Sequence, residues 1–191
     1  MATIDKRALR TQRALLTALE TLAVTHRYQA ITVTLLTQQA GINRKTFYLH
    51  YDTLDDLVTQ FSDQITAQLA AIIQRRPIAY VYHHPGVLLD DFIQFVEGHS
   101  AAVKRVLFSD DYSQFATYIE RKLTRTLATA IQASYPLTRQ DATITAHFLI
   151  HNTLSLYHYF ITTAKNGQID QTTFKTYAEK LNFQGVSPFF H

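Results

Sequence analysis

Residues 31–58 read ITVTLLTQQAGINRKTFYLHYDTLDDLV and contain two short helical patterns that meet at Gly41. The first is VTLLTQQA at 33–40, and the second begins after Asn43, a residue type that caps helices well. A chain that reverses direction in three or four residues needs one position that can take a positive φ, and glycine supplies it. This stretch therefore predicts a helix-turn-helix.

The second predicted helix begins with a cationic turn. Arg44, Lys45 and Thr46 directly follow Asn43, at the helix end whose unpaired backbone amides and dipole favour an anion. Helices that read the major groove present this end to base edges. We expect Arg44 to donate two hydrogen bonds to a guanine edge and Thr46 to touch a base or a phosphate.

The next turn carries four side chains with two expected roles. Tyr48 and His50 are expected to reach phosphates, whereas Phe47 and Leu49 are expected to point inward and hold the short helix against the preceding one. Plainer interpretations stay open. Tyr48 and His50 could be packing residues, and the whole helix-turn-helix could be a packing unit.

Amphipathic patterns flank this segment on both sides. Residues 5–24 place apolar side chains at spacings of three and four, which predicts one helix. Thr53 and Asp56 form a capping-box arrangement that opens a long helix, which should run to about Arg75 because Pro77 stops it. The buried stripe of that helix is predicted to be Leu57, Phe61, Ile65, Leu69 and Ile72.

The remainder reads as further helices separated by short breaks. RPIAYVYHHPG at 76–86 is predicted to be a loop, and helical patterns follow at about 88–96, 103–108, 115–131, 138–165 and 171–182. The pattern at 138–165 is apolar nearly all round, so a second copy of the chain could cover one of its faces. The acidic pairs Asp90-Asp91 and Asp110-Asp111 are interpreted as charges at helix starts.

Composition agrees with an all-α fold. The 191 residues include five Gly, four Pro and no Cys, and 47% are hydrophobic, so the chain can fold without disulfides and has no thiolate metal site or thiol nucleophile. The start lacks an apolar signal core, and no stretch approaches about 18 uninterrupted apolar residues. These features predict a cytoplasmic protein without a membrane partner.

Positive charge is concentrated in the first quarter. Residues 1–52 hold seven Lys and Arg against three Asp and Glu, a balance of +4, whereas the whole chain carries +3. A polyanion-binding domain joined to a neutral partner-binding domain would have this asymmetry, and so would a solvated basic helix. We predict a three-helix helix-turn-helix domain at 1–52, continuous with a larger helical dimerisation and effector-binding domain at 53–191.

The helix-turn-helix segment resembles the DNA-binding domain of the TetR/AcrR family of regulators. The resemblance covers about residues 7–60 and rests on Thr32-Val33, Ala40-Gly41-Ile42, Thr46-Phe47-Tyr48, His50-Tyr51 and Asp55-Asp56-Leu57. Two positions depart from the family pattern. Leu54 stands where a lysine is common, which removes one expected phosphate contact, and Arg27 stands where a glycine is common.

The resemblance implies which residues contact double-stranded DNA. They are Thr32, Thr34, Asn43, Arg44, Lys45, Thr46, Tyr48 and His50. It also implies a homodimer, and a cavity whose small-molecule effector changes the spacing of the two reading heads. Lining of mostly apolar side chains with a few polar anchors suits such a cavity. The residues expected to line it are Phe92, Phe95, His99, Phe115, Tyr118, His151, Asn152 and Tyr159.

A stripe of histidines in the 138–165 pattern has several interpretations. His147 and His151 are one helical turn apart and could share an ion, but His158 lies a further ~10.5 Å of helix rise along. Because zinc–nitrogen bonds are about 2.1 Å, all three cannot hold one metal. Core, dimer-facing and effector-pocket roles stay open, and we predict no metal and no cofactor.

The combined prediction is a sequence-specific transcriptional regulator, a ligand-responsive repressor that binds a pseudo-palindromic operator as a dimer. The chain has no phosphate-binding glycine loop and no nucleophile motif, so we predict that it is not an enzyme. Two alternatives remain: a helical interaction protein, and a small-molecule- or metal-binding protein that does not bind an operator.

Overall fold

The structure is a computed structural model that describes residues 6–163 and 170–187. Within these ranges the secondary structure consists of α-helices and two 3₁₀ turns, without a strand. The all-α prediction is therefore confirmed. The helices are α1 (Lys6–Thr25), α2 (Val33–Ala40), α3 (Arg44–Tyr48), α4 (Leu54–Gln74), α5 (Ile78–His83), α6 (Pro85–Gly98), α7 (Ala101–Phe108), α8 (Ser113–Ser134), α9 (Arg139–Thr163) and α10 (Gln171–Val186).

The chain divides into two compact units. One comprises Met1–Ile65 with His99–Thr117, and the other comprises Thr66–Gly98 with Tyr118–His191. Both divisions fall inside a helix, α4 and α8. The domain boundary expected at residues 52/53 stays a prediction, as does the last part of the helix expected at 138–165, which lies outside the described residues.

The first unit is built around one face of α1. Leu15, Leu19 and Leu22 follow one another at helical spacing and are at most 3% exposed, and α1 packs against α2 and α7. Burial of three leucines contributes about 1.5–3 kcal/mol each. Leu9 continues the apolar pattern toward the amino end but is 42% exposed, so that part of the predicted stripe lies outside the core.

The long helix α4 begins and ends where its sequence predicts. The N–H of Thr53 donates to Oδ2 of Asp56 at 2.7 Å, and the N–H of Asp56 donates to Oγ1 of Thr53 at 3.2 Å. This reciprocal pair satisfies two backbone donors that the helix start would otherwise leave unpaired. All five residues of the predicted stripe are buried, namely Leu57, Phe61, Ile65, Leu69 and Ile72.

The prediction of a loop at 76–86 is wrong, because most of these residues form helix α5. Pro77 occupies the N-cap position, where its missing N–H costs nothing. Ile78 and Val81 are three residues apart and both buried, so they lie on one face of the short helix. Tertiary burial of that face outweighs the turn signals of the two flanking prolines.

The position of the acidic pair Asp90-Asp91 also differs from the prediction. The pair lies within α6 rather than at its start. Asp91 accepts a hydrogen bond of 2.9 Å from Arg75 and one of 2.7 Å from Arg76, and Asp90 pairs with Lys175. These carboxylates therefore bind cations of α10 and of the α4–α5 connection instead of a helix dipole.

The second unit buries one face of α8, and of α9 it buries Ala142, Thr145, Ala146 and Tyr157. Ile119, Leu123, Leu127 and Ile131 of α8 are buried at a spacing of four residues, as predicted. The ring of Tyr157 in α9 contacts those of Phe92 and Phe174, with centroids 5.2 and 5.4 Å apart. No helix among the described residues is long and apolar enough to cross a membrane.

Candidate nucleic-acid interface and interior cavity

The reversal between α2 and α3 has the local geometry that its sequence predicts. Thr32 caps α2 by accepting the N–H of Leu35 at 3.1 Å. Gly41 ends α2 with φ 65°, the left-handed conformation that glycine adopts without strain. Asn43 then caps α3 by accepting the N–H of Lys45 at 2.8 Å.

Helix α3 has one buried side and one exposed side. Phe47 is fully buried and its ring lies 5.6 Å from that of Tyr51. The hydroxyl of Tyr51 donates to the side chain of Gln60 in α4. Aromatic packing and this one hydrogen bond therefore fix the buried side of α3. Arg44 and Lys45 are exposed on the other side.

Leu49 corrects one prediction. It was expected to point inward beside Phe47, but its side chain is 80% exposed. Side chains two residues apart on a helix point in directions that differ by about 200°, whereas side chains four residues apart share one side. The neighbour that shares the buried side of Phe47 is therefore Tyr51, not Leu49. Leu49 and Tyr48, which is 50% exposed, extend the outward surface beyond the cationic turn.

The residues expected to contact DNA all belong to the short segment 32–50. Most are exposed, whereas Thr46 and His50 are half-buried. The exposed ones are Thr32, Thr34, Asn43, Arg44, Lys45 and Tyr48. Thr32 and Asn43 also hold the two helices in place through their capping hydrogen bonds. Contact of these eight residues with DNA stays a prediction.

A second cluster of polar groups in the same unit, which we call the Tyr28 junction, was missed at the sequence level. It comprises Tyr28, Asp55, Arg105, Asp111 and Tyr112. The Tyr28 hydroxyl donates to Asp55 in the first turn of α4, and its backbone N–H donates to Asp111 at 2.8 Å. Arg105 binds the same Asp111 carboxylate at 3.1 Å.

The two tyrosines of the Tyr28 junction stay protonated over a wide pH range. Burial raises the pKa of Tyr28 above its usual value, and the hydrogen bond to Asp55 raises it further. Burial also raises the pKa of Tyr112 to about 12, with the charge of Asp111 adding to the effect. The Tyr112 hydroxyl is buried without a hydrogen-bond partner among the described residues.

The second unit contains a cavity of about 110 Å³. Its walls come from α4, α5, α6, α8, α9 and α10, and most of its lining is aliphatic. Asn182 and Thr153 provide a polar end. The Asn182 amide group donates to Oγ1 of Thr153 at 2.8 Å, and its oxygen accepts from the Asn152 amide at 2.5 Å.

The structure distributes the predicted pocket residues widely. Phe92 lines this cavity, and Asn152 adjoins it through Asn182. His99 and Phe115 belong to the other unit, where the Phe115 ring packs 5.2 Å from that of Tyr28.

The four remaining predicted pocket residues do not line the cavity either. Phe95 is buried elsewhere in the second unit, and Tyr118 lies under Lys122, with the ammonium 4.5 Å from the ring centre. His151 and Tyr159 are exposed on α9. The predicted set favoured aromatic and polar residues, whereas the cavity wall consists mainly of leucine, isoleucine and valine, some of them from α4 and α5, which the prediction did not include.

Two histidines of the predicted stripe in α9, His147 and His151, lie on the surface. His151 and His147 approach the same oxygen of Glu120, with Nδ1 at 3.0 and 3.6 Å, and their side chains are 62% and 64% exposed. Within residues 6–163 and 170–187 no group of three or more potential ligands is arranged to hold a metal ion. The contacts of His147 and His151 are therefore with one shared carboxylate, that of Glu120.

Comparisons with known proteins add one structural likeness. No family model matches the sequence, and no curated protein matches it. One solved structure with similarity to the chain is that of the TetR family repressor AlkX from Dietzia sp. strain DQ12-45-1b, implicated in biodegradation of n-alkanes. The likeness covers 92% of this chain and 95% of that one, at 16% sequence identity and a TM-score of 0.46.

Proposed function

We propose that this protein is a transcriptional regulator of the TetR/AcrR type that binds a pseudo-palindromic DNA operator as a homodimer and releases it when a small molecule binds. The observation that carries the proposal is the outward cationic turn of α3, with Arg44 and Lys45 exposed above the buried Phe47. The two exposed cations give this turn the positive charge that binding to a polyanion such as DNA requires.

The outward side of α3 has the chemistry of a major-groove reader. Arg44 and Lys45 are exposed, so their charges are available to base edges and phosphates. Arginine recognises guanine with two parallel hydrogen bonds. Leu49, which is 80% exposed, adds an apolar group of the kind that contacts the thymine methyl.

Helix α1 supports a wider electrostatic footprint. Lys6, Arg10 and Arg13 are exposed at spacings of four and three residues, so they share one side of the helix. Cations of this kind bind phosphates without reading sequence, and each one that contacts DNA makes the affinity more dependent on salt.

An unpaired apolar surface on α9 and α10 supports the homodimer. Its exposed large side chains are Ile144 at 56%, Phe148 at 42%, Tyr159 at 61%, Tyr177 at 53% and Leu181 at 47%. Exposed apolar side chains grouped on two adjoining helices are typical of interaction surfaces. A twofold axis would place the same residues of a second chain against them and give the operator its matching symmetry.

Helix α4 offers a route for ligand control. Five residues separate its start from the end of α3, and Leu69, Ile72 and Ile73 near its other end line the cavity. A ligand that prefers a state with displaced reading helices must weaken operator binding, and the operator must weaken ligand binding by the same factor.

The test begins with selection of bound sequences from a random DNA library, followed by affinity measurements over a salt series. We expect an inverted repeat to be enriched and the affinity to fall steeply with salt, since several phosphates are neutralised. Loss of enrichment together with a flat salt series would overturn the proposal and leave a protein-interaction role for the helix-turn-helix.

A further inference from the structure

We propose that the cavity of the second unit binds a small neutral amphiphile, with a hydrocarbon body of about six carbons and one hydroxyl or carbonyl group recognised by Asn182. This inference rests on the proposed function, because the cavity is the effector site proposed there. It adds the chemical class of the effector, which follows from three properties of the cavity.

The first property is the absence of charge from the lining. Fifteen of the eighteen lining residues are Leu, Ile, Val or Phe, and the other three are Tyr82, Thr153 and Asn182. A carboxylate or an ammonium group would lose its hydration here without meeting an opposite charge, and such transfers are strongly unfavourable. The ligand is therefore neutral.

The second property is the single polar end. Asn182 is only 4% exposed. A carboxamide has two N–H donors and two acceptor lone pairs, and Asn182 uses one donor toward Thr153 and one lone pair toward Asn152. One donor and one lone pair therefore remain without a partner among the described residues. A ligand hydroxyl can accept from this donor or donate to this lone pair, and a ligand carbonyl can accept from the donor.

The third property is size. An apolar cavity of about 150 Å³ holds one benzene molecule, and the cavity here is of the same order, about 110 Å³. A body of about six carbons is thus the upper limit for the arrangement of side chains in this structure. A long acyl chain would require the walls to move apart.

The experiment compares four probes of six carbons each by calorimetric titration of the protein: 1-hexanol, hexanoate, hexylammonium and benzene. We expect 1-hexanol to bind with one site per chain, and both ionised probes to bind at least about tenfold more weakly. If hexanoate or hexylammonium binds as tightly as 1-hexanol, or if 1-hexanol does not bind, the inference is wrong.

Two variants test the role of Asn182. Asn182→Leu removes the polar anchor at similar volume, so 1-hexanol affinity should fall about tenfold while benzene affinity stays within about twofold. Gln184→Leu makes the same kind of change on an exposed residue of α10 and should leave both affinities unchanged.

Equal 1-hexanol binding by Asn182→Leu and the original protein would overturn the assignment of Asn182 as the polar anchor. The four-probe comparison needs no variant, so it decides the ligand class even if Asn182→Leu does not fold.

Operator binding is measured separately, so that the two proposals fail independently. If the protein selects an operator but does not bind 1-hexanol, only the ligand inference fails. If it binds 1-hexanol with the expected preference but selects no DNA, the ligand class stands and the regulator function fails.

Discussion

The backbone N–H of Tyr28 donates a hydrogen bond of 2.8 Å to Oδ2 of Asp111, 83 residues further along the chain. Arg105 binds the same carboxylate at 3.1 Å and also approaches the carbonyl oxygen of Val24 at 3.4 Å. The Asp111 carboxylate therefore links the 3₁₀ turn Tyr28–Ala30, which precedes the helix-turn-helix, to the segment between α7 and α8. Since Asp111 is only 15% exposed, these hydrogen bonds are partly shielded from water.

Replacement of Asp111 should destabilise the first unit. Asp111→Ala removes the acceptor of two partly buried donors, which should lower the free energy of unfolding by about 1.5–3 kcal/mol. Urea unfolding measures the change. Asp110→Ala is the matched control, because Asp110 is exposed in the same turn and should change stability by less than about 0.5 kcal/mol. Equal effects of the two variants would mean that the hydrogen bonds of Asp111 with Tyr28 and Arg105 contribute nothing measurable to stability.

Replacement of Gly41 should strain the turn between α2 and α3. Its φ of 65° is unfavourable for alanine although a Cβ would meet no atom within 4 Å, so Gly41→Ala should cost about 1–2 kcal/mol. Gly98 also has open space around it but no positive φ. Gly98→Ala, at the end of α6, should therefore be neutral or stabilise by up to ~1 kcal/mol. Thermal unfolding of both variants gives the comparison, and a neutral Gly41→Ala would contradict the strained-turn argument.

Alkaline stability should depend on Tyr112. Its pKa rises from 10.0 to about 12 on folding, so above pH 10 the unfolded chain loses this proton first. Titration of this group therefore leaves the free energy of unfolding unchanged below pH ~10 and lowers it as the pH rises toward ~12. Tyr112→Phe should therefore lose stability less steeply over this range in urea unfolding.

The matched control for Tyr112 is Tyr80→Phe, which removes a hydroxyl from a side chain that is 45% exposed. It should follow the original protein at every pH. At neutral pH, Tyr112→Phe should be as stable as the original or more stable by up to ~1 kcal/mol, because the deleted hydroxyl has no described partner. A large loss of stability at neutral pH would show that the hydroxyl is satisfied.

Arg44 and Lys45 should have different roles on DNA. Arg44→Ala should cost about 1–3 kcal/mol on the selected operator and relax base preference at one position, whereas Lys45→Ala should reduce the salt slope by about one. Gel-shift titrations against operator and random DNA measure both. Arg125→Ala, an exposed arginine of α8, is the control. If Arg44→Ala weakens operator and random DNA equally, Arg44 contacts phosphate only.

The apolar surface of α9 and α10 should hold two chains together. Ile144→Lys places a charge on a side chain that is 56% exposed, and a buried charge of this kind would oppose dimerisation. Sedimentation should then show a monomer with unchanged helical content. Val24→Lys, at a side chain that is 46% exposed on α1, should remain dimeric. A dimer that tolerates Ile144→Lys would mean that this surface is not the interface.

The helix-turn-helix could be predicted because its signals are local. The cap at Asn43, the positive φ at Gly41 and the capping box at Thr53 each depend on hydrogen bonds that reach no more than four or five residues. The outward position of Arg44 follows from the same short-range geometry. The error at Leu49 was also local, since its separation from Phe47 already puts it on the opposite side of the helix.

Tertiary structure decided the features that join distant residues. Burial of Ile78 and Val81 turned an expected loop into α5, and Asp111 found its partner Tyr28 across 83 residues. The cavity brings Leu69 of α4 close to Asn182 of α10. Residue periodicity states which side of a helix is apolar, but it contains no information about which other helix covers that side. Only the packing of all the helices together, under the requirement that apolar surface be buried and polar groups be paired, settles those contacts.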